Sequence, residues 1–437
     1  MARQADRSGT FQGANLEHAR ALNRRAVFEA VRRHGPVTRA ELAALIGLTV
    51  QAVSNITVEL EAAGLIRQDG KRLGLRGQPA AELSVNPAGG YTIGLSLAYR
   101  RVTGVLSDLT GKVVAHDSRV LSAREPQATA EALAEQTLDL LAASGVAHDQ
   151  VWGVGCSVPG TVENGAFWYD KVKEAAAWTH FPLEAELVRL TGLWVLVEND
   201  ATVAAIGERL YGVGRIASSF FYLHFNLGVG GGVVVDGQHY RGAFGGAGEI
   251  GHMIVKPGGR LCPCGSRGCF EQYVSLYAAA EAVCGPTRAP DEVPAEELVA
   301  LLRDGDSRLL AWQEEAGQYL RIAIRNIEAM YDPDTIVIGG GLPAELLQGL
   351  IAAATPLLPA MSHRQTGSGL PRLVPAEHAA DLPAMGAAAL PVAVLLQSNL
   401  SRLSASPGEG SAAADNPALV LLGVRLPGRT TAIGQGG

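Results

Sequence analysis

From Asn15 to Arg33 the apolar residues Leu16, Leu22, Val27, Phe28 and Val31 recur at close to helical spacing, and Gly35-Pro36 stops the run. The pattern predicts a helix. A second helix starts at Thr38, whose hydroxyl can cap it while Glu41 reaches back; it carries Leu42, Leu45 and Ile46 and breaks at Gly47. Thr49 is positioned to cap a third, with Val53, Ile56 and Leu60 facing inward and Gly64 at its end. Two short helices joined by a turn at Gly47 form a helix-turn-helix. Leu65-Ile66-Arg67-Gln68 and Ala80-Ala81-Glu82-Leu83 can pair as a hairpin whose tip carries Lys71, Arg72 and Arg76, a basic wing suited to phosphates or a minor groove. Gln51, Ser54 and Asn55 lie off the apolar stripe of the third helix, near the end that meets base edges in a major groove. Residues 1–87 thus read as a winged helix-turn-helix.

Beyond Asn86-Pro87 strands and helices alternate. Tyr91–Leu97, Val102–Ser107 and Lys112–Ala115 read as strands and Thr129–Ala143 as a helix; Val151–Ser157 and Leu193–Val197 read as buried strands. Phe220–Asn226 and Gly231–Val235 form a hairpin, Val299–Met330 is largely helical, Thr335–Ile338 runs into Gly339-Gly340-Gly341, and Leu382–Leu396 is a last helix. Strands with helical crossovers and glycine turns at their ends make residues 88–397 an α/β domain with crevices at those turns. Residues 398–437, rich in Ser, Ala, Gly and Pro, read as a flexible tail in which Leu419–Leu426 can form one short strand.

Composition narrows the class. The 437 residues are 47% hydrophobic with a mean hydropathy of +0.14, enough to bury substantial cores in two or three domains. No charged-then-apolar leader and no apolar stretch of about twenty residues is visible, so the expectation is a cytoplasmic protein without a membrane partner. Its five cysteines then read as metal ligands or buried thiols, with Cys156 and Cys284 in the core. Residues 1–88 hold 12 Lys/Arg against 8 Asp/Glu, while the rest of the chain carries a net charge of -11. A modestly basic head on an acidic body suits a DNA-binding module attached to a larger domain.

The densest chemistry lies between residues 252 and 271. His252, Cys262, Cys264 and Cys269 match the Cys₃His set of a closed, structural Zn²⁺ site, and Glu249 and Glu271 are interleaved with them although such a site needs neither. The segment Thr161–His180 adds Trp168, Tyr169 and Trp178, rings able either to stack on a sugar face or to fill the core.

Gly153-Val-Gly-Cys-Ser-Val-Pro159-Gly160, Glu198-Asn199-Asp200-Ala201, Asp236-Gly237, Ala247-Gly248-Glu249-Ile-Gly251-His252, the Cys262–Glu271 run and Ile338-Gly339-Gly340-Gly341 occur in this order. Together they resemble the ROK family, which combines sugar kinases with sugar-responsive repressors on a two-lobed, actin-like ATPase fold. The winged head is similar to that of the repressor branch. The resemblance implies that Asn199, Asp200, Glu249, His252 and Glu271 line a sugar pocket, and that Asp200 matches the family's general base. The chemistry is apt: carboxylates accept from two vicinal hydroxyls at once, while an amide and an imidazole set orientation. His252 can give one ring nitrogen to the metal and the other to a sugar hydroxyl.

Two departures bear on catalysis. Kinases of the family open with Asp-x-Gly-x-Thr-Lys, where this chain has Ser96-Leu97-Ala98-Tyr99-Arg100-Arg101, and they read Gly-Thr-Gly where it has Asn226-Leu227-Gly228. An acid for Mg²⁺, a glycine turn and a phosphate-binding hydroxyl are gone, each worth roughly 2.7–4 kcal/mol in comparable sites. The expectation is a regulator and not an enzyme: a repressor that binds operator DNA as a homodimer or homotetramer and responds to a sugar or sugar phosphate. The alternatives are an ATP-dependent sugar kinase with an added head and a ligand-independent architectural DNA-binding protein.

Overall fold

A computed structural model describes residues 16–72, 79–98, 101–121, 125–163, 166–168, 175–178, 181–243, 245–285, 288–359, 369–376, 382–396 and 416–423. The head comprises α1 (Leu16–His34), β1 (Val37–Thr38), α2 (Arg39–Ile46), α3 (Val50–Ala62), β2 (Ile66–Arg72) and β3 (Ala80–Val85). Thr38 and Glu41 form the capping box at the start of α2, Gly47 ends that helix at φ 70°, and Thr49 caps α3. Helices α2 and α3 are set 113° apart, within the helix-turn-helix range. Val53 and Leu60 are buried, as is Leu42, but Leu45 faces solvent. The wing gains a strand that periodicity did not reveal: β1 pairs with β3, which pairs with β2, in a sheet ordered β1-β3-β2.

The first lobe of the body contains β4 (Tyr91–Leu97), β5 (Arg101–Asp108), β6 (Val113–Val120), α4 (Pro126–Ser144) and β7 (Val151–Val158), then β8 (Thr161–Glu163), β9 (Ala166–Trp168), α5 (Ala175–Trp178), α6 (Leu183–Thr191) and β10 (Val195–Asn199). Helix α7 (Asp200–Tyr211) leads into β11 (Phe220–Phe225), β12 (Val229–Val235) and β13 (Gln238–His239) of the second lobe. That lobe continues with α8 (Glu271–Val274), α9 (Leu276–Val283), α10 (Ala295–Arg303), α11 (Ser307–Tyr331), β14 (Thr335–Gly340), α12 (Ala344–Ala354) and β15 (Leu373–Pro375). Helix α13 (Leu382–Leu396) returns to the first lobe, and α14 (Pro417–Leu421) follows.

The two principal sheets, β10-β7-β4-β5-β6 and β13-β12-β11-β14-β15, share one plan. In each, the first strand is central, two antiparallel strands follow on one side and two parallel strands on the other. Helix α13 packs on β4 and β7, and α7 packs on α13 and on β11 and β12, so both helices lie between the sheets.

Three expectations change. Strand β6 continues past Ala115 to Val120 as an edge strand whose residues alternate half-buried and exposed, so His116, Asp117 and Ser118 do not interrupt it. The long helical stretch is broken where Gly305 takes φ 71° and Asp306 caps α11. In the tail, residues 417–421 are helical and not a strand, since Asn416 caps them and Ala418, Leu419 and Leu422 enter the core that contains Val27, Phe28, Trp152 and Trp194. Arg25 fixes the segment by donating to the Leu422 and Gly423 carbonyls (2.6 and 3.1 Å). Head and body therefore share a core, with Phe28 and Trp152 rings 6.4 Å apart. Among the described residues no single helix is long and apolar enough to cross a membrane.

Strand β7 and helix α13 meet at backbone distance, because a methyl on Gly155 would lie 1.9 Å from the Ala387 carbonyl oxygen. Gly155→Ala is expected to destabilise the protein by about 1–3 kcal/mol through overpacking. Urea unfolding with an unchanged midpoint would contradict this.

Candidate functional site

Strand β10 delivers Asn199 and Asp200 to the start of α7, outside the carboxyl end of a parallel strand, where open α/β sheets hold ligands. Asn199 caps α7: its Oδ1 accepts from the Ala201 and Thr202 amides (3.0 and 3.2 Å), and its Nδ2 donates to the Gly160 carbonyl (2.8 Å) in the turn after β7. The side chain thus fixes the joint between the Pro159-Gly160 turn and the helix. The Asp200 carboxylate, 17% exposed, accepts from Ala201 N (2.8 Å) with one oxygen and lies 3.4 Å from His224 Nε2 with the other.

His224 on β11 escaped the sequence reading. Its side chain is 2% exposed, and among the described residues neither ring nitrogen completes a hydrogen bond. The available signal was one imidazole in the otherwise apolar run Phe220-Phe-Tyr-Leu-His224-Phe225, just before a glycine turn. Behind Asn199 lies an acid pair, buried Glu198 and half-buried Glu184. Burial raises Glu198 above the ordinary carboxylate range, opposed by the Arg241 guanidinium at 3.0 Å and by the Asn199 amide. Burial also pushes Glu184 up to about 7, against the amide hydrogen bond from Val197 and with Glu198 adding to the rise.

Glu249, His252 and Glu271 form a second group. The imidazole turns Nδ1 toward Cys262 Sγ (3.6 Å) and Glu271 Oε1 (3.8 Å), and Nε2 toward Glu249 Oε2 (3.9 Å). Glu271 is buried at the start of α8 and accepts from the Cys262 thiol (3.3 Å), whereas Glu249 is exposed. Strand β12 contacts the elements that carry both groups. A Cβ on Gly230 would meet Ala201 of α7, while the Gly248–Gly251 turn abuts the Gly231 and Val229 carbonyls.

The four ligand atoms offered by His252, Cys262, Cys264 and Cys269 all lie within 4.8 Å of one another, with Cys264 and Cys269 sulfurs 3.6 Å apart. Sulfurs around a tetrahedral metal with bonds of about 2.3 Å are separated by about 3.8 Å, so this set can hold such an ion. Burial pushes the Cys262 and Cys269 thiols up, and a cation held among them would offset that resistance to ionisation. Cys156 is buried in the first-lobe core, and Cys284 is half-buried at the edge of the second-lobe core. Trp178 belongs to the first-lobe core and meets the Phe181 ring edge-on at 5.7 Å. The backbone of Trp168 lies in β9, whereas Tyr169 and His180 fall outside the described residues.

On the head, Gln51 and Asn55 are exposed on α3 and joined by a 3.0 Å hydrogen bond, with Ser54 half-buried between them. Lys71 is exposed on the wing, and Arg76 lies outside the described residues. Arg72, half of its side chain exposed, pairs with Glu41 (2.7 Å) and Glu82 (2.5 Å) and so links the wing to α2.

A model described as the ROK family matches residues 92–393, two thirds of the chain. The chain belongs to the ROK family. A Crp-like helix-turn-helix domain matches residues 17–77, and the fold is a winged head on the two-lobed, actin-like ROK body. The xylose repressor of Bacillus subtilis (strain 168) is 25% identical over 328 residues, covering 74% of this chain and 83% of the repressor. A ROK family transcriptional regulator, homologous to the E. coli MLC protein, superposes with a TM-score of 0.66 at 26% identity, covering 86% of this chain and 96% of the regulator. A ROK glucokinase from Streptomyces griseus, in complex with glucose and AMPPNP, gives 0.56 at 25% identity, covering 69% of this chain and 99% of the kinase.

Within this ROK body both segments that depart from the kinase pattern carry hydrogen bonds within their turns. The Ala98 amide donates to the Arg101 carbonyl (2.8 Å) across the β4–β5 turn; Tyr99 and Arg100 fall outside the described residues. In the second turn the Asn226 amide donates to Gly228 O (2.9 Å) and the Leu227 amide to Asn226 Oδ1 (3.0 Å). The Leu227 amide therefore has a protein acceptor already.

The acid pair makes stability pH-dependent in a defined direction. Folded Glu184 keeps its proton to about 7, against 4.5 for the ordinary carboxyl, so the folded state binds more protons in that window and loses stability as pH rises through it. Glu184→Gln should stabilise the protein at pH 8 by on the order of 1–3 kcal/mol and leave it unchanged at pH 4. Urea unfolding at both pH values checks this; equal gains at both would refute the protonation account.

Proposed function

We propose that this ROK protein is a sugar-responsive DNA-binding transcriptional repressor whose ligand cleft does not transfer phosphate. One observation carries the reading: a complete helix-turn-helix head shares a core with a body that keeps the acidic and imidazole groups of the cleft while Asn226 closes the second phosphate turn on itself. The likeness to xylose repressors and to a ROK transcriptional regulator supports the same reading.

Asn199, Asp200, Glu249, His252 and Glu271 are the sugar-binding set. Three carboxylates and one imidazole favour a neutral, polyhydroxylated ligand over a phosphorylated one, which would meet like charge. An aldose such as xylose or glucose fits that chemistry. Zn²⁺ is the ion for the His252, Cys262, Cys264 and Cys269 set; it would fix the ring's direction and leave Nε2 facing Glu249.

Gln51, Ser54 and Asn55 face base edges, and Lys71 and Arg76 grip the backbone, with Arg72 chiefly bracing the wing. Two such heads on a symmetric homodimer or homotetramer match a pseudo-palindromic operator. Residues 1–87 form the head and 88–397 the body of this cytoplasmic regulator. The kinase reading keeps one point in its favour, the retained Asp200.

A thermal-shift screen of zinc-loaded protein against D-xylose, D-glucose, N-acetyl sugars and sugar phosphates, repeated with ATP-Mg²⁺ and a product assay, decides between the two. A shift with a neutral aldose, abolished by Asp200→Asn and accompanied by no phosphorylated product, is expected; product formation would make the chain a kinase. The same aldose should change operator affinity in a mobility-shift assay, and Asn55→Ala should cost about 1–3 kcal/mol of specific binding. Metal analysis should find one zinc per chain. Chelation should weaken aldose binding about tenfold or more, and unchanged binding by chelated, folded protein would separate metal from ligand.

A further inference from the structure

Helix α7 begins in the ligand cleft and ends on the DNA-binding head. Its first residue is Asp200, capped by Asn199, and its last is Tyr211. Twelve residues at about 1.5 Å each give a rod of roughly 18 Å. At its far end the Leu210 carbonyl accepts from Arg32 Nη1 (2.9 Å), and the Gly214 carbonyl in the following turn accepts from Arg33 Nη2 (2.9 Å). Both arginines belong to α1. The Arg32 guanidinium also lies 5.9 Å above the Tyr211 ring and grips Glu29 of its own helix through two 2.7 Å bonds, so one buried cation joins the two helices. Cations are favoured at the carbonyl end of a helix, and here the head supplies them.

Between these ends α7 is built to move as one piece. Its residues Ala201, Thr202, Val203, Ala204, Ala205, Ile206 and Gly207 are buried and mostly small. A methyl on Gly207 would stand 2.9 Å from Gly386 Cα of α13, and one on Gly232 of β12 would stand 2.3 Å from Ala205 Cβ. Contacts at backbone distance leave no long side chains to re-pack and absorb a displacement, and close-packed interiors transmit strain.

We propose that α7 carries ligand binding from Asp200 to the head, with Arg32 and Arg33 as the grip through which α1 receives it. This rests on the reading of the protein as a ligand-responsive DNA-binding regulator and names how its two sites are coupled. By linkage, operator DNA must change ligand affinity by the same factor as ligand changes operator affinity.

Hydrogen exchange on the full-length protein tests the rod without an effector. Arg33→Gln should speed exchange both at Leu210–Gly214 and, at least threefold, at Ala201–Val203; acceleration confined to the arginine end, with the first turn unchanged, overturns the proposal. Because Arg32→Gln strands Glu29 and can unfold the joint, Arg33→Gln is the deciding variant and Arg32→Gln a second reading of the same peptides. Operator binding, with DNA selected from random duplexes, is then measured with and without D-xylose or D-glucose. Arg33→Gln should keep aldose affinity within twofold while cutting the aldose-driven change in operator Kd at least fivefold. A full response in the variant overturns the coupling route. Wild-type protein that binds an aldose without any operator response sinks the regulator reading instead, and the exchange result still decides whether α7 behaves as a rod.

Discussion

Everything else in the body is arranged around the contact between α7 and α13, which approach to backbone distance where Gly207 meets Gly386. The two helices are the layer between the sheets, α13 lying on β4 and β7 and α7 on β11 and β12. Glycines at Gly155, Gly207, Gly232 and Gly386 let carbonyls and methyls occupy the space that side chains would otherwise need. Such a contact gives up flexible apolar side chains at the centre and gains a fixed distance between lobes. The cleft residues at the start of α7 and the head at its end inherit their positions from it.

The thiol cluster is a second, local constraint, and it explains why acids and sulfurs are interleaved in one short stretch. The Gly248–Gly251 turn lies against β12, and the segment carrying Cys262–Cys269 folds back on it through the Ile254–Cys269 bridge. His252 then stands between Cys262 and Glu249, with Glu271 buried behind it. Glu271 takes its direction from α8, whereas Glu249 stands on a turn without regular structure, which an ion held at the sulfurs would help to fix.

Much of the head was legible because its signals are local. Thr38-x-x-Glu41, Gly47 and Thr49 state where helices begin and end through hydrogen bonds to their own backbone, and the structure makes those bonds. Of the family motifs, Glu198–Ala201 and Ile338–Gly341 fall at strand ends, where the turns were also expected. What stayed hidden depends on long-range pairing. Strand β1 is two residues long and exists only because β3 lies beside it. The shared plan of the two sheets is a matter of pairing order, which periodicity does not encode. The pairs of Arg72 with Glu41 and Glu82 likewise come together only in the fold. Helix α14 sits in a stretch whose composition suggests a tail, and its order comes from Arg25 and the core shared with α1.

His224 shows best why cleft chemistry and kinase chemistry can separate on one scaffold. An acid acting as general base accepts the proton of the attacked hydroxyl and must be held within hydrogen-bond reach of it. Here one Asp200 oxygen is engaged by the Ala201 amide and the other faces a buried imidazole at 3.4 Å. A carboxylate so flanked is suited to accepting hydrogen bonds from a polyol, a static role that needs no phosphate loop. The Leu227 amide, bonded to Asn226 Oδ1 within the turn, already has a protein acceptor. On the proposed reading, the binding free energy that a kinase directs to a transition state would act instead on the contact between α7 and the arginines of the head.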